Sequence, residues 1–145
     1  MKYLWFIFLA AGVPLVGTYT VVTLTAQYES HSLFDMQRAM HVWWRAGGLP
    51  SGDLRSMLVQ AKVLRPTDRW YSRIQVERAG HGAEVVDIDA SMLACREAVR
   101  EAPVIDAPNL VINGHSFSIL DRVTQAEAMS ACHLSGNSIG LEVQG

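Results

Sequence analysis

Cys95 and Cys132, with His81, His115 and His133, are the side chains in this chain best suited to hold a metal ion. Zinc sites present such ligands in close pairs, and no CxxC or HExxH spacing occurs here. His81 and His115 fall at tight turns, where polar residues are expected anyway. Ser116, His115 and Asp121 are the residue types of a hydrolytic triad, but no nucleophile elbow or SxxK motif frames them. Ser and Asp beside turns ordinarily bond backbone groups. "GHG" at 80–82 and "SGN" at 135–137 match no phosphate-binding loop. The residue types therefore disfavour an enzyme, and no cofactor, metal or small-molecule substrate is implied.

The cysteines admit a second chemistry, which depends on the compartment. In a reducing compartment they read as buried thiols. In an exported domain the even count of two favours one disulfide. That bond closes a loop of about 38 residues and is worth about 4 kcal/mol in the chain-entropy model.

The opening of the chain bears on the compartment. "KYLWFIFLAAGVPLVGTYTVVTLTAQY" at 2–28 carries one charge, Lys2, and the next charged residue is Glu29. Tyr3 to Leu24 matches the roughly 20 apolar residues that cross a bilayer. Pro14 and Gly17 are tolerated in such a span. A cleaved signal is the alternative. Its apolar core covers only about 7–15 residues, and the nearest small-residue site here, Leu24-Thr25-Ala26, begins on a poor Leu. The segment reads as a retained anchor, residues 1–28, with the domain at 29–145 exported.

The full chain has 145 residues and a formal charge of -2, which suits one compact domain beyond the anchor. Arg65, Arg69 and Arg73 recur at intervals of four. Pro66 argues against one helix carrying all three, so they read as a solvated face and not as a nucleic-acid patch.

The elements that position these residues follow from periodicity. In 25–46, Leu33, Met36, Met40, Trp43 and Trp44 form an apolar stripe at helical spacing. Met36, Met40, Trp43 and Trp44 are the face expected to pack on a sheet. "GGLP" at 47–50 ends this helix. A short helix follows, with Leu54, Met57, Leu58 and Ala61 on one face and Ser51 or Asp53 as cap. "WYSRIQVE" (70–77) and "AEVVDID" (83–89) read as a hairpin around "AGHG", and 91–102 reads as a helix. "NLVI" and "SFSIL" flank Asn113-Gly114, a type I′ turn signal. Thr124 to Glu127 has the form of a capping box and opens a helix ending near Cys132. "SIGLEV" (138–143) is a last strand. The fold expected is α+β: an N-terminal helix packed on a mainly antiparallel sheet of about five strands.

"ACREAV…LVINGHSFSIL…AEAMSACHLSGNSIGLEV" resembles the C-terminal part of type IVb pilins of the PilS kind. Cys95, Asn113-Gly114, Ala128, Ala131-Cys132 and Gly136-Asn137 fill that family's motif places. The resemblance implies a pilin-like fold with Cys95 and Cys132 bridged around the exposed C-terminal region. The N-terminus departs from the family. It has no basic leader before a cleavage glycine, and no acidic residue precedes Glu29. Chain length, the single span and the "MKYLWFIFL" start are similar to the PilM-type inner-membrane proteins of plasmid thin-pilus systems used in conjugation. That resemblance implies a single-pass protein of the bacterial inner membrane with its domain in the periplasm. It also implies a non-enzymatic role in the basal body or pilin transport apparatus, with pilin subunits and other assembly proteins as partners. A minor pilin that enters the fibre, and a membrane-anchored periplasmic enzyme, are the alternatives.

Overall fold

The computed structural model describes residues 4–80, 82–103, 109–119 and 121–143, with side chains from Thr18 onward apart from Tyr19. The first helix, α1, runs Leu4–Arg45 without a break at residue 28. Among the described residues no helix is long and apolar enough to cross a membrane. The side chains of 4–17, most of the expected span, lie outside that description. Val21, Val22 and Leu24 are exposed, and among the described side chains of α1 the first buried one is Ala26. The turns of α1 between Thr18 and Thr25 therefore run clear of the core.

From Ala26 onward α1 is a core element. Leu33, Met36 and Met40 are buried, at the i, i+3, i+4 spacing of one helix face. They lie in one cluster with Val85 of strand β2 (Gly82–Ala90) and Leu141 and Val143 of strand β5 (Asn137–Val143). Burying each such side chain contributes about 2 kcal/mol. Trp43 packs half-buried on the same cluster. Trp44 is also half-buried, and its carbonyl accepts the N–H groups of Gly47 and Gly48 that close the helix.

The sheet has five strands in the order β1-β2-β5-β3-β4, with β1 at Ile74–Ala79, β3 at Asn109–Ile112 and β4 at His115–Ser118. Every pairing is antiparallel. The last strand of the chain, β5, joins the two hairpins at the centre of the sheet. A register shift between Asp87 and Ala90 bends the end of β2. Helices α1 and α3 (Met92–Glu101) both contact the sheet and each other. Ser91 caps α3 through Ala94 N–H.

Several boundaries differ from the sequence reading, for local reasons. The first hairpin arm starts at Ile74, because Tyr71–Arg73 form a 3-10 turn. Arg55 of α2 (Leu54–Gln60) reaches into that turn. Its guanidinium donates to the carbonyls of Tyr71 and Ile74 and stacks on the Tyr71 ring, 4.1 Å from the centroid. Asp53 caps α2, while Ala61 lies past its end and is exposed. Helix α4 (Arg122–Ser130) begins three residues before the expected start. Asp121 is its cap, accepting from Val123 and Thr124 N–H, and Thr124 is the third helical residue of the box. Cys132 lies just beyond this helix.

Candidate functional site

Two places gather polar side chains in a way the core does not require. The first is a charged junction where α1 meets the sheet. Glu29 and Asp87 are 7% and 1% exposed, and Arg73 lies between them. One Arg73 nitrogen, Nη2, donates to both carboxylates, to Asp87 at 3.1 Å. Asp87 also accepts Asp89 N–H at 3.2 Å. The Arg73 Nε atom is buried without a partner among the described residues.

The backbone explains the convergence. Ala83, Val85 and Asp87 alternate inward along β2, so the strand period that buries two apolar side chains also buries a carboxylate. The 3-10 turn before β1 then swings Arg73 against it. Glu29 follows on α1, one turn before the core residue Leu33. Burial pushes the Glu29 carboxyl up to about 8, helped by the Asp87 side chain beside it, while Arg73 pulls the other way. At neutral pH Glu29 is therefore largely protonated beside Asp87 and Arg73. The Arg73 bridge between Glu29 and Asp87 pins α1 to the sheet.

Three further contacts extend this seam. Ser30 Oγ donates to Glu101 at 2.7 Å, and His31 Nε2 lies 3.0 Å from the same carboxylate. Gln37 Nε2 donates to the Glu142 carbonyl at 2.9 Å.

The second place is an open groove of about 850 Å3 beside α1, walled by the segment 62–70. Trp70 forms part of its floor, with its indole N–H donated to Ser32 Oγ at 3.2 Å. Lys62, Arg65 and Arg69 line it and are exposed. The three arginines read together from sequence therefore separate: Arg73 turns inward, and Arg65 and Arg69 face the groove.

The residues singled out from sequence fall elsewhere. Cys95 and Cys132 form a disulfide with a Cα–Cα distance of 5.9 Å, joining α3 to the segment after α4. Asn113 and Gly114 make the β3–β4 turn at φ 51° and 82°, the positive values a type I′ turn needs. Asn113 does more than turn the chain. Its side chain donates to Ala131 carbonyl at 2.8 Å and accepts Ser138 N–H at 2.9 Å. Asn137, fully buried, bonds the Ala90 and His133 carbonyls and accepts His133 N–H at 2.7 Å. The hairpin tip, the disulfide segment and β5 are thereby tied into one knot. Ser116, His115 and Asp121 make no triad. His115 and Ser116 are successive strand residues and so point to opposite faces, and the Asp121 carboxylate is occupied in capping. His133 is exposed, and His81 lies outside the described residues. Among the described residues no three His, Cys, Asp or Glu side chains are grouped to hold a metal ion.

Sequence reading gave Glu29 no role and placed Arg73 on a solvated face, whereas Arg73 turns inward to both carboxylates. The available signal was Asp87, an acidic residue on the apolar parity of a strand, which requires a buried partner.

Comparison of the chain with protein-family models, with curated proteins and with solved structures finds no match.

Proposed function

We propose that this protein is a non-enzymatic structural component of type IVb pilus assembly, held in the bacterial inner membrane by the N-terminal part of α1. Its domain faces the periplasm and binds pilin subunits or other basal proteins. The observation that carries the anchor is that Val21, Val22 and Leu24 are exposed on turns of α1 that run clear of the core, at the end of an apolar run starting at Tyr3. Apolar side chains on a helix with no protein to pack against mark a membrane or partner contact. The pilus reading rests on the resemblance of 95–143 to PilS-type pilins. A helix laid on an antiparallel sheet, with a disulfide bounding the C-terminal region, is compatible with it. A minor pilin is the second reading. The absence of any acidic residue before Glu29 weighs against it, because a fibre subunit uses a carboxylate early in its stalk.

The test is the intact mass of the protein from host membranes, alkylated with and without reduction. The expected result is a chain retaining residues 1–28 whose two cysteines react only after reduction. A trimmed chain with a methylated new N-terminus would move the protein into the fibre. A mass starting near Gln27 would remove the anchor. Deletion of the gene is expected to abolish pili while pilin still accumulates, and normal piliation would refute the assembly role.

A further inference from the structure

We infer that the groove beside α1 docks the headgroup of an anionic phospholipid, fixing the domain against the membrane surface. This rests on the anchor reading above. Among the described residues Lys62, Arg65 and Arg69 have no ion-pair partner. The groove's other charges are largely matched: Arg38 is paired with Asp35 at 3.5 Å, and His31 with Glu101. Asp68 is the one carboxylate left among the three cations, and it accepts Arg65 N–H at 3.1 Å. The groove is therefore positive by two charges within a domain whose chain is negative overall.

Its backbone also departs from what stability favours. Lys62 follows the last residues of α2 at φ 60°, with its N–H bonded to Val59 carbonyl and Val63 N–H bonded to Leu58 carbonyl. That is a helix-ending position at which glycine is usual, since a Cβ is strained there. Here the position carries an ammonium on the groove wall.

The position along α1 selects the ligand. The groove begins at Thr25 and Tyr28, immediately past the apolar run. Ser32, bonded to Trp70, lies eight residues or roughly 12 Å beyond Leu24 along the helix. The headgroup layer is about 5–8 Å thick on each side of the hydrocarbon. Trp70 and the flanking arginines thus stand a few Å above it, inside the Debye length of about 8 Å. The exposed Tyr28 at the groove mouth lies four residues, or roughly 6 Å, beyond Leu24 and so within the headgroup layer, the usual place of an interfacial aromatic.

The test uses the full chain in detergent micelles, given equal phosphatidylglycerol and phosphatidylcholine, with retained lipid read by native mass spectrometry. Each juxtamembrane cation favours an anionic surface by roughly fivefold, so a net two give about a 25-fold preference for phosphatidylglycerol. Lys62→Gln/Arg65→Gln/Arg69→Gln leaves the groove at one net negative charge and should abolish the preference for phosphatidylglycerol, while Arg96→Gln on α3 leaves it unchanged. Arg69→Gln alone should lower it about fivefold, which keeps the test available should the triple variant not fold. Equal retention by the wild type, or a preference surviving the triple substitution, overturns the inference and leaves the groove to an acidic protein segment. The anchor is tested separately by alkaline carbonate washing of pure phosphatidylcholine vesicles carrying the chain. Retention there with equal lipid preference refutes the headgroup site alone, whereas release refutes the anchor and this inference with it.

Discussion

Replacing Glu29 with Gln changes one atom in a buried junction and removes its titration. In the wild type the folded state holds the Glu29 proton far more tightly than the unfolded chain does. Its carboxyl is raised from 4.5 to about 8 by burial first and by the neighbouring Asp87 second. The folded state therefore binds more protons between those two values, and stability falls as pH rises through that window. The contribution is fully present below 4.5 and lost above about 8. Each tenfold change in acidity corresponds to about 1.4 kcal/mol, so the complete shift sets a ceiling near 5 kcal/mol. Solvent reaching the site past the partly exposed Arg73 screens the charge, and about 2 kcal/mol is the expected effect. Gln keeps the shape and a donor toward Asp87 without acquiring a charge. Urea unfolding of the domain in the full chain, followed by tryptophan fluorescence at pH 5 and pH 8.5, measures the difference. The variant should match the wild type at the lower pH and exceed it by about 2 kcal/mol at the higher. A constant difference across the window, or a variant that loses stability at high pH, would show that Glu29 is ionised against Arg73 and refute the reasoning.

Other outcomes follow from the same structure. Replacing both Cys95 and Cys132 with Ser should cost up to about 4 kcal/mol through the loop they close, read from the urea midpoint; no loss would mean that the unfolded chain is already constrained. Asn137→Ala should cost roughly 2 kcal/mol, because it strands the buried Ala90 carbonyl and removes the bonds to the His133 carbonyl and N–H. Faster hydrogen exchange at Ser138 would confirm that the loss lies in this knot. Lys62→Gly should gain up to about 1 kcal/mol by relieving the positive φ while lowering phosphatidylglycerol retention about fivefold. A loss of stability instead would show that the Lys62 side chain packs on the groove wall.

Much of the architecture was legible in local pattern. The stripe of Leu33, Met36 and Met40, the alternation along β2, the Asn113-Gly114 turn and Ser91 ahead of α3 each encode their element within a few residues. The physics there is short-ranged: helix and strand periods, turn dihedrals and caps. Where the sequence reading slipped, either a distant residue or a choice between two neighbouring caps decided. The start of β1 is set by Arg55 from another helix. The start of α4 turns on which of two capping residues, Asp121 or Thr124, stands outside the helix.

The tertiary structure alone decided the partnerships. Alternation places Asp87 inward but cannot say that Arg73 and Glu29, 14 and 58 residues away, complete its surroundings. Arg65, Arg69 and Arg73 look alike at intervals of four, and only the 3-10 turn directs one inward and leaves the other two exposed. Asn113 reads as a turn residue, yet its side chain ties down a segment 25 residues later at Ser138. By itself the sequence determined the elements, the apolar run and the two cysteines. Which side chains meet depends on strand order and on the docking of α1, because contacts between residues far apart in the chain arise only when those elements pack.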